Sequence, residues 1–239
     1  MARGLRRNFA EWSAGTRQAV ARAPLRHALA ARLRRCRDAL AARSAAGRGR
    51  ECHGDRPLAK LVRLESRITP FDALEFEPAF RYVDVADEVA FLWADLDGYG
   101  RPDLAHAFLD GYLDEGGDFD LLRVLDLYVT HRALVRAKVM AIRAGGLPAG
   151  GDAAGRWRRR ESAVEAVAGR ALQHPSPRLV LMYGLSGSGK SWLARQLARA
   201  RPAIHLRSDR ERKRRAGLAP AGSSGSPVVP LLSGGPVSR

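Results

Sequence analysis

Lysine is scarce in this sequence: 4 of 239 residues, against 37 arginines. With abundant alanine and glycine beside it, that skew reflects GC-rich coding, so a net charge of +16 does not by itself specify a nucleic-acid partner. Cysteine is limited to Cys36 and Cys52, which excludes a disulfide framework and suits a reducing compartment. Aromatic residues are only 7% of the chain, and few of them interleave with the arginines, which argues against a base-stacking surface. No run approaches the roughly 18 apolar residues of a membrane span. Nor does an apolar stretch follow the basic N-terminus as a signal peptide requires. The expectation is a soluble, cytoplasmic chain without a membrane partner.

What is present is enough to bury a core, since 46% of the residues are hydrophobic. Charge is segregated: net +11 over residues 1–50, −11 over 51–130 and +16 over 131–239. An acidic middle between basic ends implies parts with different tasks. Apolar residues at helical spacing predict one or two helices over 7–45, with Pro24 starting the second. Two short strands around a turn are expected in 61–76. Helices follow over 82–97, 102–115 and 119–143. Residues 144–155, AGGLPAGGDAAG, compose the best linker, and a basic helix is expected over 156–173. The last stretch, 216–239, has four Pro, five Gly and five Ser without a period and reads as disordered.

Two constellations carry chemistry. In LVLMYGLSGSGKSWLARQLARA (179–200), Gly184, Gly189, Lys190 and Ser191 satisfy the spacing G-x-x-x-x-G-K-[ST]. Small residues, Ser186, Gly187 and Ser188 among them, let backbone N–H groups turn inward around phosphates. Lys190 supplies a point charge near the β- and γ-phosphates, and Ser191 an oxygen for Mg²⁺. An apolar strand is expected over 178–183 before this loop and an amphipathic helix after it, whose N-terminus adds its dipole. A second short strand, 203–206, would lead to Asp209. That residue reads either as a helix cap or as the acid that takes a proton from a substrate hydroxyl.

The run GLSGSGKSWLARQLA…IHLRSDRERKRRAGL resembles the opening of small P-loop kinases of the gluconate-kinase and polynucleotide-kinase sort. That resemblance implies ATP and Mg²⁺ as cofactors, Asp209 on the substrate side, and an unidentified small-molecule phosphate acceptor. The later acidic strand, the lid arginines and the adenine-binding segment of such kinases are missing from this sequence.

The second constellation is CHGDRPLAKLVRLESRITPFDALEFEP (52–78). It resembles the catalytic and metal loops of aminoglycoside-phosphotransferase-like enzymes. By that resemblance Asp55 would orient or deprotonate a substrate hydroxyl, and Asp72 would hold Mg²⁺ on nucleotide phosphates. Glu75, Arg81, Asp84 and Asp87 fall on supporting positions of the same pattern. Two positions depart from it: Pro57 stands where His is frequent, and Lys60 where the family has a metal-binding Asn. An ammonium cannot ligate a cation, so Lys60 would put a positive charge where the ion belongs. The alternative for His53 and Asp55 is that they only brace a loop.

A chain joining both parts resembles proteins described as AAA family ATPases or bifunctional ATP-binding proteins, here apparently truncated at both ends. The implied fold is α+β: an α-rich phosphotransferase-like C-lobe remnant (1–143), a linker (144–155), a partial P-loop α/β unit (156–215) and a tail (216–239). The function expected is ATP binding by a relative of small-molecule kinases with a degenerate phosphotransferase-like half. The competing readings are a non-catalytic basic nucleic-acid-binding or regulatory protein and an inactive truncated product.

Overall fold

The computed structural model describes residues 16–75, 78–148, 150–173, 178–185, 187–200 and 203–218. It is helix-rich α+β with two small antiparallel sheets among the described residues. Helix α1 (Thr16–Arg35) and helix α2 (Arg37–Ala45) open it. Strand β1 (Gly49–Glu51) follows, then the loop carrying His53–Asp55 and a single 3-10 turn, Leu58–Lys60. Strands β2 (Leu61–Leu64) and β3 (Arg67–Pro70) form a tight hairpin with Leu61 opposite Pro70 and Leu64 opposite Arg67. A short helix α3 (Pro78–Arg81) leads into strand β4 (Tyr82–Asp84), which pairs with β1, Gly49 opposite Asp84. Helices α4 (Val85–Gly98), α5 (Pro102–Gly116), α6 (Leu125–Gly145) and α7 (Asp152–Ala171) build the body.

The core lies where α4, α6 and α7 meet. Ala86, Ala90 and Ala94 recur every fourth residue on α4 and are fully buried. Small side chains at that spacing form a smooth stripe on one helix face, against which larger residues of neighbouring helices pack. Leu127, Tyr128, Val129 and Leu134 of α6 and Val164 and Val167 of α7 belong to the same buried cluster. Leu92, Leu96 and Ala105 form a smaller one, on which Leu58 and Leu61 rest. Burying such side chains contributes about 1.5–3 kcal/mol each for the larger ones. The second cluster is therefore what fixes the 52–61 loop to α4 and α5.

Several expected boundaries move. Pro24 does not begin a helix but lies inside α1, and the break falls at Cys36, in a turn between α1 and α2. The helix expected from 82 begins at Val85. Tyr82 and Val83 favour the strand, and Asp84, extended at φ −60° and ψ 132°, caps the helix through its carboxylate on the Ala86 N–H. Residues 119–123 form a 3-10 segment ahead of α6, because buried Asp118 is tied to Arg43 and turns the chain there. The linker contracts to 146–151 as α6 runs to Gly145 and α7 starts at Asp152.

The larger correction concerns the last third. Residues 178–185 and 203–207 are not strands. A strand is stable only when its N–H and C=O groups pair with those of a neighbouring strand, and among the described residues neither segment has a strand beside it. Leu179, Val180, Leu181, Tyr183 and Leu185 are exposed as a result, Leu181 by 80%. Helices α8 (Lys190–Ala200) and α9 (Ser208–Arg215) do form, and both lie against α5. The expectations for residues 7–15, for Ser186 and for the tail from 219 fall outside the described residues.

Candidate functional site

The loop after β1 is held by contacts that reach into the helical body. Gly54 takes a φ of 81°, and a Cβ there would meet the Phe80 carbonyl oxygen at 2.8 Å, so only glycine fits. The Gly54 N–H donates to Glu88 Oε2 at 3.1 Å, and Arg132 donates to the Gly54 carbonyl at 3.3 Å. Arg132 is itself fixed by a bidentate pair with Asp87, at 2.7 and 2.9 Å. Two further anchors complete the cradle: Leu58 N–H donates to Asp95 Oδ2 at 2.7 Å, and Arg56 lies 3.2 Å from Glu88. The Cys52 thiol is pushed up to about 11 by burial and by the neighbouring Glu88 carboxylate, so it is no thiolate nucleophile near neutral pH.

On this cradle the structure brings Asp55 and Asp72 together around Lys60. The Lys60 Nζ lies 2.8 Å from Asp55 Oδ2 and 2.8 Å from Asp72 Oδ2, and it donates to the Asp72 carbonyl at 2.9 Å. The hairpin explains the meeting. The Phe71 N–H donates to the Lys60 carbonyl at 3.1 Å, which extends the β2–β3 register by one pair. Asp72 then adopts a left-handed φ of 58°, a conformation aspartate tolerates better than most residues, and its carbonyl and carboxylate both contact the same ammonium. His53 anchors the turn from the other side, its Nε2 2.8 Å from the Phe71 carbonyl oxygen. Partial burial would lower the Lys60 amine, but the two carboxylates outweigh it and raise it above its ordinary value. The hydrogen bond from Lys60 holds the Asp72 carboxyl below the usual range.

Of the supporting positions, Asp84 and Asp87 are buried and paired with Arg43 and Arg132. Arg81 bonds the Cys52 carbonyl and Glu51, tying β1 to β4. Glu75 is exposed. Sequence reasoning missed Arg132, Glu88 and Arg43. A signal existed: Arg132 follows buried Tyr128 by four residues on one helix face, as Arg43 follows Ala39.

The second cluster is the loop 184–191. Gly187 and Gly189 take φ values of 80° and 81°, and α8 begins at Lys190 immediately after them. The Lys190 ammonium folds back over the loop and donates to Gly184 O at 2.8 Å, to Leu185 O, and to Ser188 Oγ at 3.4 Å. Ser191 is exposed in the first turn of α8. The chemistry of these groups fits a polyphosphate with its Mg²⁺. An 11-residue helix presents N–H groups that lack intrahelical partners, and an anion would offer Lys190 stronger acceptors than neutral carbonyls.

Asp209 does not cap α9; it lies in the first turn after Ser208 and pairs with Arg207 at 3.2 Å. Among the described residues no hydrogen bond or ion pair joins it to the loop. Its helix is instead docked on α5. Arg210 pairs with Asp114 at 2.9 Å, Arg214 donates to the Asp114 carbonyl at 2.7 Å, and the His205 N–H donates to Asp110 at 2.8 Å.

Residues 179–229 match the family model of the AAA domain. The segment is thus similar to P-loop NTPases of kinase-like type, and the match continues past Leu218 into the Gly/Pro/Ser-rich stretch. Curated relatives include two proteins of Mycobacterium tuberculosis and one of Mycobacterium bovis, each described as uncharacterized. Each is 40% identical over 149 residues, which is 60% of this chain and 28% of the relative. The chain therefore spans little more than a quarter of those proteins. No solved structure matches it. Beside the AAA-domain segment, no helix among the described residues is long and apolar enough to cross a membrane.

Proposed function

We propose that the AAA-domain segment binds ATP·Mg²⁺ and that the chain derives from an ATP-dependent small-molecule phosphotransferase. The supporting observation is the start of α8 at Lys190, directly after a loop whose glycines take left-handed φ values. Gly184, Ser186, Gly187, Ser188 and Gly189 would present their backbone to the phosphates, Lys190 its charge, and Ser191 its hydroxyl to the metal. ATP supplies a transferable phosphoryl group. Asp209 would face the substrate once released from Arg207, and the acceptor is a small molecule rather than a nucleic acid. In this reading residues 1–171 are a phosphotransferase-like C-lobe remnant, since α7 packs in its core rather than with the phosphate loop, the P-loop unit starts at 179 and 216–239 is a tail. Asp55 and Asp72 take the positions of a catalytic acid and a metal ligand, in a half that no longer turns over.

The test is thermal. ATP with Mg²⁺ should raise the melting temperature, and Lys190→Ala should abolish the gain. Ligand at 100 times its Kd stabilises by about 2.7 kcal/mol, a readily measured shift. Identical melting curves with and without ATP for both proteins would refute the proposal.

A further inference from the structure

Three oxygens converge on one point outside the AAA-domain segment: Asp55 Oδ2, Asp72 Oδ2 and the Asp72 carbonyl, each within 2.9 Å of the Lys60 ammonium. Two carboxylates and a carbonyl are the donor set a hard cation takes. We infer that Lys60 is a tethered cation: it fills an all-oxygen cation site with a charge supplied by the chain itself, so that no free divalent metal enters there.

The construction of the site supports this. Its three oxygens come from two loops set by separate devices. Leu58 and Leu61, packed on Leu92, Leu96 and Ala105, fix the loop that carries Asp55 and Lys60. The β2–β3 register and the His53 contact to Phe71 fix Asp72. Asp72 holds a left-handed backbone, φ 58°, in the geometry where its main-chain and side-chain oxygens share the ammonium. An ordinary exposed ion pair requires none of this and contributes little. With Lys60 present, the two carboxylates are already neutralised to a net −1 around the site, and a divalent ion would have to displace an ammonium that cannot diffuse away. Among the described residues no group of three or more His, Cys, Asp or Glu side chains could hold a metal, so Asp55 and Asp72 have no third acidic partner to outcompete the lysine.

The inference does not depend on nucleotide binding at Lys190. It is tested on the full chain with Mn²⁺ alone, followed by the paramagnetic signal of the free ion. The unmodified chain should show no Mn²⁺ site sensitive to Asp72. Lys60→Ala should gain one, and Asp72→Asn added to it should weaken that affinity roughly tenfold or more. A Mn²⁺ site in the unmodified chain that Asp72→Asn weakens would overturn the inference, as would a folded Lys60→Ala variant that gains no site. Should Lys60→Ala fail to fold, amine acylation read by mass spectrometry decides, because only Lys138, Lys190 and Lys213 compete with Lys60 among the side chains. Lys60 should be acylated slowly in the unmodified chain and several-fold faster in Asp72→Asn, with Lys213 unchanged. Equal Lys60 rates in the two proteins would overturn it.

Discussion

Asp87 shows how single residues carry the loop from behind. Burial alone would raise its carboxyl, but the Arg132 guanidinium and His131 more than compensate and hold it at about 2. Arg132 reaches on to the Gly54 carbonyl, so the charge state of Asp87 bears on the Asp55 loop. The sign follows from linkage. A carboxyl depressed in the folded state stabilises the protein fully above its unfolded value of 3.8, and that contribution is lost as pH falls toward about 2. Urea unfolding between about pH 5 and about pH 2 should lose on the order of 2 kcal/mol from this pair. Arg132→Met should lack that share of the acid-side slope. Arg43 works in the same manner, donating to both oxygens of Asp84 and both of Asp118 while only 3% exposed. Its guanidinium is raised, since the two carboxylates overcome the cost of burial.

At the scale of elements, α1 carries a defect of its own. Pro24 removes an N–H from the helix interior and crowds the carbonyl four residues back. Pro24→Ala should therefore stabilise the chain by about 1–3 kcal/mol, read as a higher urea midpoint with an unchanged slope. The hairpin, α5 and the body of α4 were legible from the sequence, because each shows one clear period or turn. Proline punctuation was misread, since the packing of Leu29 and Leu33 against the core outweighs local preference at Pro24. Buried arginines were missed for a related reason: in a chain with 37 of them, the helix-face spacing that marks Arg43 and Arg132 is a weak signal against so many solvated neighbours. Lys60 was legible as a departure from a pattern, whereas its three-oxygen surroundings needed the hairpin register. The strand at 178–183 was misjudged because strand propensity says nothing of whether a partner strand exists.

Across the whole molecule, the two candidate sites are supported very differently. The Asp55–Lys60–Asp72 cluster rests on the α4–α5 body through buried groups, while the AAA-domain segment touches that body through α8 and through the 203–218 segment docked on α5. Ile204 packs on the main cluster and Arg214 lies over the Phe119 ring at 5.7 Å. The acidic α5 and basic α9 thus bring together the opposite charges that were segregated along the chain.

The bare run Leu179–Tyr183 has a consequence for the chain in company rather than alone. This run of five apolar residues has no charge or proline, and four of them, Leu179, Val180, Leu181 and Tyr183, are open to solvent beside a single flanking cation, Arg178. Such a segment is a template for cross-β growth, in which the absent partner strand is provided by the neighbouring molecule and then by the next. Concentrated solutions should form thioflavin-positive fibrils after a lag. Val180→Lys should lengthen that lag severalfold while leaving the unfolding free energy within about 0.5 kcal/mol of the unmodified chain's, as expected of an exposed site. A lag unchanged by the substitution would locate the nucleus elsewhere. Solubility in this protein is then limited by the same five residues that lead into its phosphate loop.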